Sequence, residues 1–66
     1  SAASDVYKRQ LRQRYHQEVC AARQYDQAAQ SVGDPCLAGL FRELSREEDC
    51  HARQLLGLLE QNILAF

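Results

Sequence analysis

Apolar and polar positions alternate along this chain with the steps of an α-helix. From Leu11 onward the apolar or nearly apolar positions are Leu11, Tyr15, Ala22, Tyr25, Ala29 and Val32, with Glu18 filling the place between Tyr15 and Ala22. Steps of four and three alternate, so these side chains share one stripe of a helix. The stripe breaks at Ser31-Val32-Gly33-Asp34-Pro35. Gly33 is suited to the left-handed conformation that closes a helix, and Asp34-Pro35 reads as an N-cap followed by proline at the first helical position. A second stripe then runs Leu37, Phe41, Leu44, Glu48, His51, Leu55 and Leu58, widened by Leu40, Leu56, Leu59 and Ile63. The pattern predicts a helix over about residues 8–31, a turn at 32–35 and a helix over about 35–64. So short a connection makes the two helices antiparallel neighbours. The expected fold class is all-α: an antiparallel two-helix hairpin forming half of a four-helix bundle. Dimerisation, or a segment outside this sequence, would supply the other half.

Residues 1–10, SAASDVYKRQ, carry no such apolar repeat and read as a non-native leader or cloning scar, leaving 11–66 as the hairpin. The opposite end, Asn62 to Phe66, stops on apolar residues without a cap, and both ends point to a fragment. A chain of 66 residues is below the size that usually buries an adequate core unaided, so a metal or oligomerisation is expected. The formal net charge of −1, with basic and acidic residues interleaved, offers no electrostatic footprint for nucleic acid or an anionic membrane. The longest apolar runs are too short to span a bilayer, and no leader of the secretory kind is visible. Three cysteines, Cys20, Cys36 and Cys50, form no C-x-x-C pair. An odd count without that motif argues against a disulfide scaffold or zinc knuckle and for a reducing, cytoplasmic setting.

Three polar residues occupy places the stripes reserve for core: Glu18 in the first, Glu48 and His51 in the second. An inward carboxylate needs a cation or an ion pair to compensate its lost hydration. Glu18 lies fifteen residues before Gly33 and Glu48 fifteen after it. In a hairpin pivoting there, the two stand at equal height, roughly 20 Å from the turn at 1.5 Å per residue. His51 follows one turn beyond Glu48 on the same face. Two carboxylates and an imidazole thus converge, and that donor set suits iron, manganese or zinc.

The single Glu18, the Glu48-Asp49-Cys50-His51 run and the Asp34-Pro35 turn between them resemble the ferritin-like di-iron carboxylate proteins, in which two helices give one Glu each and two give Glu-x-x-His. The stretch from Tyr25-Asp26-Gln27 through Asp34-Pro35 to Glu47-Glu48-x-x-His51 is similar to rubrerythrins and especially to encapsulated ferritins, over about residues 15–60. The resemblance implies a homodimer or higher oligomer sharing a site of two iron ions. Glu18, Glu48 and His51 would be ligands, and the activity would be Fe(II) oxidation or reduction of dioxygen or peroxide, as in a ferroxidase or a rubrerythrin-type peroxidase. An encapsulating shell is the further partner implied. Gln17 and Cys20 stand where encapsulated ferritins carry extra acidic residues, and the paired C-x-x-C motifs of rubrerythrins are absent.

The remaining residues have plainer readings. Tyr25, two turns from Glu18, and Glu47, beside Glu48, could support the ligands. A Tyr at that spacing is more often core, and such a Glu is more often solvated. His16 falls off the stripe and reads as a surface residue. Cys20 and Cys50 flank the ligands in sequence but not in direction, and read as small apolar residues. Against the metal reading stands a non-catalytic helical dimerisation module, in which Glu18, Glu48 and His51 form a polar core layer that fixes register.

Overall fold

Asp34 organises the reversal of the chain. Its side-chain Oδ1 accepts the Cys36 N–H at 2.9 Å while its carbonyl accepts the Ala38 N–H at 2.9 Å, the two bonds of a helix N-cap. Pro35, at the first helical position, has no N–H to satisfy. In this computed structural model, which describes the backbone of residues 2–65 and the side chains of residues 2–61, the result is two helices. They are α1, Ala2–Ser31, and α2, Pro35–Ala65.

The end of α1 differs from the expected left-handed closure. No described residue, glycine or otherwise, has a positive φ. The Val32 N–H still donates to the Ala28 carbonyl at 3.1 Å, so helical bonding runs into the loop until Asp34 begins the next helix. Gly33 therefore serves as a small residue in open space, where a Cβ would meet nothing within 4 Å.

The start of α1 also lies earlier than the expected residue 8. Residues 2–10 continue the helix with Ala2, Ala3, Lys8, Arg9 and Gln10, all good helix formers, and Asp5 in the first turn complements the positive end of the dipole. Extending an existing helix requires no new nucleus.

The stripe on α1 is the packed face: Leu11, Tyr15, Glu18, Ala22, Tyr25, Ala29 and Val32 are all buried or half-buried. On α2 the packed seam is rotated from the expected one. It runs Ala38, Phe41, Ser45, Glu48, Ala52, Leu55 and Leu59, sharing Phe41, Glu48, Leu55 and Leu59 with the expected face and replacing the rest by Ala38, Ser45 and Ala52. Leu37, Leu40, His51 and Leu58 are exposed, and Leu44 is half-buried. Ile63, assigned to the same face, lies outside the described side chains.

The reason for the rotation is close approach. The Ser45 hydroxyl donates to the Ala22 carbonyl across the seam at 2.8 Å, a bond that requires the two backbones to lie near each other. Small side chains make that possible. Ala52, only 3% exposed, Ala29 and Ala38 are more deeply buried than most of the leucines. Contacts step outward from the loop on both helices together: Tyr25 stacks on Phe41 with ring centroids 6.1 Å apart, then Ala22 meets Ser45, then Glu18 meets His51.

This seam is a thin core. The molecule measures 50 × 15 × 11 Å with a radius of gyration of 15.1 Å, against about 11 Å for a compact domain of this length. Its accessible surface is 4925 Å², where a globular monomer of this mass exposes roughly 4,200 Å². Leu37, Leu40 and Leu58, between 39% and 50% exposed, form an uncovered apolar flank beside the seam. Among the described residues, no helix is long and apolar enough to cross a membrane.

The loop geometry sets two opposite expectations for thermal melts followed by circular dichroism. Asp34→Ala should destabilise the hairpin by about 1 kcal/mol through loss of the cap. Gly33→Ala should be neutral or stabilising by about 0.4–1 kcal/mol, because an ordinary φ and open space leave only the gain in unfolded-state entropy. A marked loss of stability in Gly33→Ala would show that the loop needs a left-handed residue after all.

Candidate metal centre

Among the described residues Glu18 is the one charged side chain that is buried, 6% exposed in the middle of the seam. Helical periodicity holds it there: it takes the stripe position between Tyr15 and Ala22, and those neighbours fix the face that α1 turns to α2. Glu48, on the facing seam, is half-buried, and His51 lies one turn further along at the edge of the leucine flank. The equal spacing of Glu18 and Glu48 from the loop brings them to the same level.

Among the described residues, Glu18, Glu48 and His51 form a group whose potential donor atoms all lie within 4.8 Å of one another. His51 Nδ1 is 3.5 Å from Glu48 Oε1 and 3.9 Å from Glu18 Oε2. Oxygen and nitrogen donors about 2.1 Å from one ion stand roughly 3.0–3.5 Å apart. The first separation already meets that requirement, and the second needs only a small side-chain rotation.

Glu18 is unevenly satisfied. Arg14, one turn earlier on α1, places Nε 2.9 Å from Oε1. Oε2 is buried and has no hydrogen-bond donor. With both carboxyls ionised nothing donates to it, whereas a proton on Glu48 supplies a bond between the two. That shared proton is the main reason the two carboxyls titrate apart. The bond with Glu48 holds Glu18 below the ordinary carboxylate value of 4.5, burial opposes this, and Arg14 and His51 lower it further. Glu48 is pushed above 4.5 by the same bond, by burial and by the negative charge of Glu18, with His51 opposing. An acceptor oxygen without a donor beside a carboxyl reluctant to ionise describes a place short of positive charge.

The supporting residues divide. Tyr25 stacks on Phe41, the ordinary core role, two turns away from Glu18. Glu47 is exposed and does not join the cluster. His16 is exposed, with its ring edge-on to Tyr15 at 5.5 Å. Cys20 and Cys50 depart from the expected small apolar role: both are free and exposed, as is Cys36. Cys20 and Cys50 each follow a seam glutamate by two residues, which turns them about 200° away from the seam.

Two contributors went unread in the sequence. Arg14 carried a usable signal, since residues four apart on a helix are neighbours. Ser45 carried a fainter one, a small residue at a heptad position facing Ala22. A shallow open groove of about 240 Å³ between Ala22, Arg23, Asp26, Ser45, Arg46 and Asp49 includes none of the three cluster residues.

Comparison with protein-family models, with curated proteins and with solved structures finds no match to this chain.

The two carboxyls predict a pH response of opposite sign. Glu18, lowered on folding, contributes stability that is present above 4.5 and lost as pH falls through its folded value. Glu48, raised on folding, contributes stability that is present below 4.5 and lost as pH rises through its folded value. Glu48→Gln should therefore raise the melting midpoint of the metal-free chain by a few degrees at neutral pH. The gain should vanish below 4.5, where Glu48 is already protonated. Equal effects at both pH values would contradict this assignment.

Proposed function

We propose that the chain is a metal-binding hairpin that works as a pair: two copies face each other across their leucine flanks and enclose a carboxylate-bridged site for two divalent ions, iron by preference. The observation that carries this reading is the buried Glu18 oxygen without a donor, turned toward Glu48 and His51. The donor set fits. Carboxylates suit hard divalent ions and can bridge two of them, and a single imidazole adds a nitrogen ligand suited to iron, manganese or zinc.

The incompleteness of the site supports the pairing. Three donors from one chain leave even a single ion under-coordinated, and His51, with a side chain 54% exposed, sits among uncovered leucines. A second copy would bring Glu18, Glu48 and His51 again, matching the Glu and Glu-x-x-His complement of ferritin-like di-metal bundles. It would also cover Leu37, Leu40 and Leu58 and remove water from the site, strengthening every charge interaction inside.

When bound, iron would supply one-electron chemistry with dioxygen or peroxide, so the activity proposed is Fe(II) oxidation or peroxide reduction. The chain's own residues have three tasks. Glu18 and Glu48 would hold the ions and balance their charge. His51 would be a terminal ligand, held at fixed height by the helix. The alanine seam and the leucines keep the surroundings dry.

A second reading has its own observation. Arg14 and His51 already approach Glu18, so the cluster could be a polar layer that fixes register in a helical dimer without metal.

Anaerobic Fe(II) titration followed by exposure to air separates the two. The metal reading expects saturation at about two irons per pair of chains, with a near-ultraviolet oxidation signal that Glu48→Ala abolishes. Absence of uptake with helicity unchanged would leave the polar layer. Pairing has a separate test in sedimentation. Replacing Leu40 and Leu58 together by Gln should weaken self-association more than tenfold, as expected from about 1.5–3 kcal/mol per leucine buried. Unchanged association would place the partner elsewhere.

A further inference from the structure

Glu18 presents its two oxygens to different neighbours. Oε2 points to the space it shares with Glu48 and His51, while Oε1 carries the Arg14 guanidinium at 2.9 Å. A carboxylate that bridges two cations gives one oxygen to each. In this chain one of those places is already taken by a cation of the protein itself. We infer that Arg14 is a built-in occupant of the second cation position, so that two metal ions enter in unequal steps and the second must displace Arg14 from Glu18. The inference rests on the metal reading above.

The first ion needs only what is free: Oε2 of Glu18, Glu48 and His51 Nδ1. For Glu18 to bridge that ion to the second, Oε1 is needed as well, and Arg14 cannot yield it by losing a proton, since a guanidinium stays charged throughout the accessible pH range. It yields by rotation. Its side chain is 65% exposed and tethered one turn from Glu18, so it can swing into solvent without disturbing the seam. The contact is also weak enough to be displaced, since its Arg14 end lies in solvent even though its Glu18 end is buried. In the metal-free chain the same contact compensates a buried carboxylate whose other oxygen has no hydrogen-bond donor. Arg14 thus acts as a positioning residue, holding Glu18 aimed while setting a threshold for the second ion.

Stability and affinity should then move in opposite directions, which a merely structural arginine would not produce. The test is calorimetric titration of the whole chain with Zn(II) alone, at concentrations where sedimentation gives every variant the same oligomeric state. Arg14→Gln should tighten the second step by about twofold to fivefold, the size of losing one partly exposed charge contact. It should leave the first step nearly unchanged and lower the melting temperature of the metal-free chain. Arg14→Lys, which keeps the charge, should retain the two unequal steps. If the wild type takes up zinc and Arg14→Gln leaves the second step unchanged or weaker, the role of Arg14 is overturned and the metal site stands. If neither takes up zinc, the metal reading falls and this inference with it.

Discussion

The burial of one carboxylate governs the rest of this structure. Glu18 sits in the seam where an alanine or leucine would pack without penalty, and it takes a set of neighbours to keep it there: Arg14 on one oxygen, Glu48 and His51 near the other. Removing a charge from water is tolerated only with compensation, and the compensation here is incomplete. The unequal titration of Glu18 and Glu48 has the same origin, since two carboxyls at one level cannot both ionise freely. A polar centre of this kind weakens a small hairpin unless something else benefits, and a bound cation is the simplest beneficiary.

The second constraint is the division of labour between alanines and leucines. Alanine and serine form the seam, where the helices approach closely enough for Ser45 to bond the Ala22 carbonyl. Leu37, Leu40 and Leu58 are left on the flank, where they would serve a further layer. A reader expecting leucines in the core looks for the seam in the wrong place by a fraction of a turn. The rotation also gives His51 its place: at the edge of the hairpin, next to the cluster and open to whatever covers the leucines. Pairing and metal binding are for that reason one proposal rather than two.

Sequence alone determined the elements and the identity of the unusual residues. The spacing of Leu11 to Val32 required a helix with Glu18 inside it, Asp34-Pro35 required a new helix to start, and the equal distances of Glu18 and Glu48 from Gly33 required them to meet in a hairpin. These features are local or follow from the fixed rise and twist of a helix, which is why they were legible. The tertiary structure decided what depends on how two surfaces meet. It rotated the α2 seam onto Ala38, Ser45 and Ala52, kept the loop free of positive φ, turned the cysteines outward and set Arg14 on one oxygen of Glu18. A hydrophobic pattern gives a helix its broad apolar arc, but close approach of backbones selects which edge of that arc becomes the seam. That choice is made by packing between the helices, and no periodicity within either one contains it.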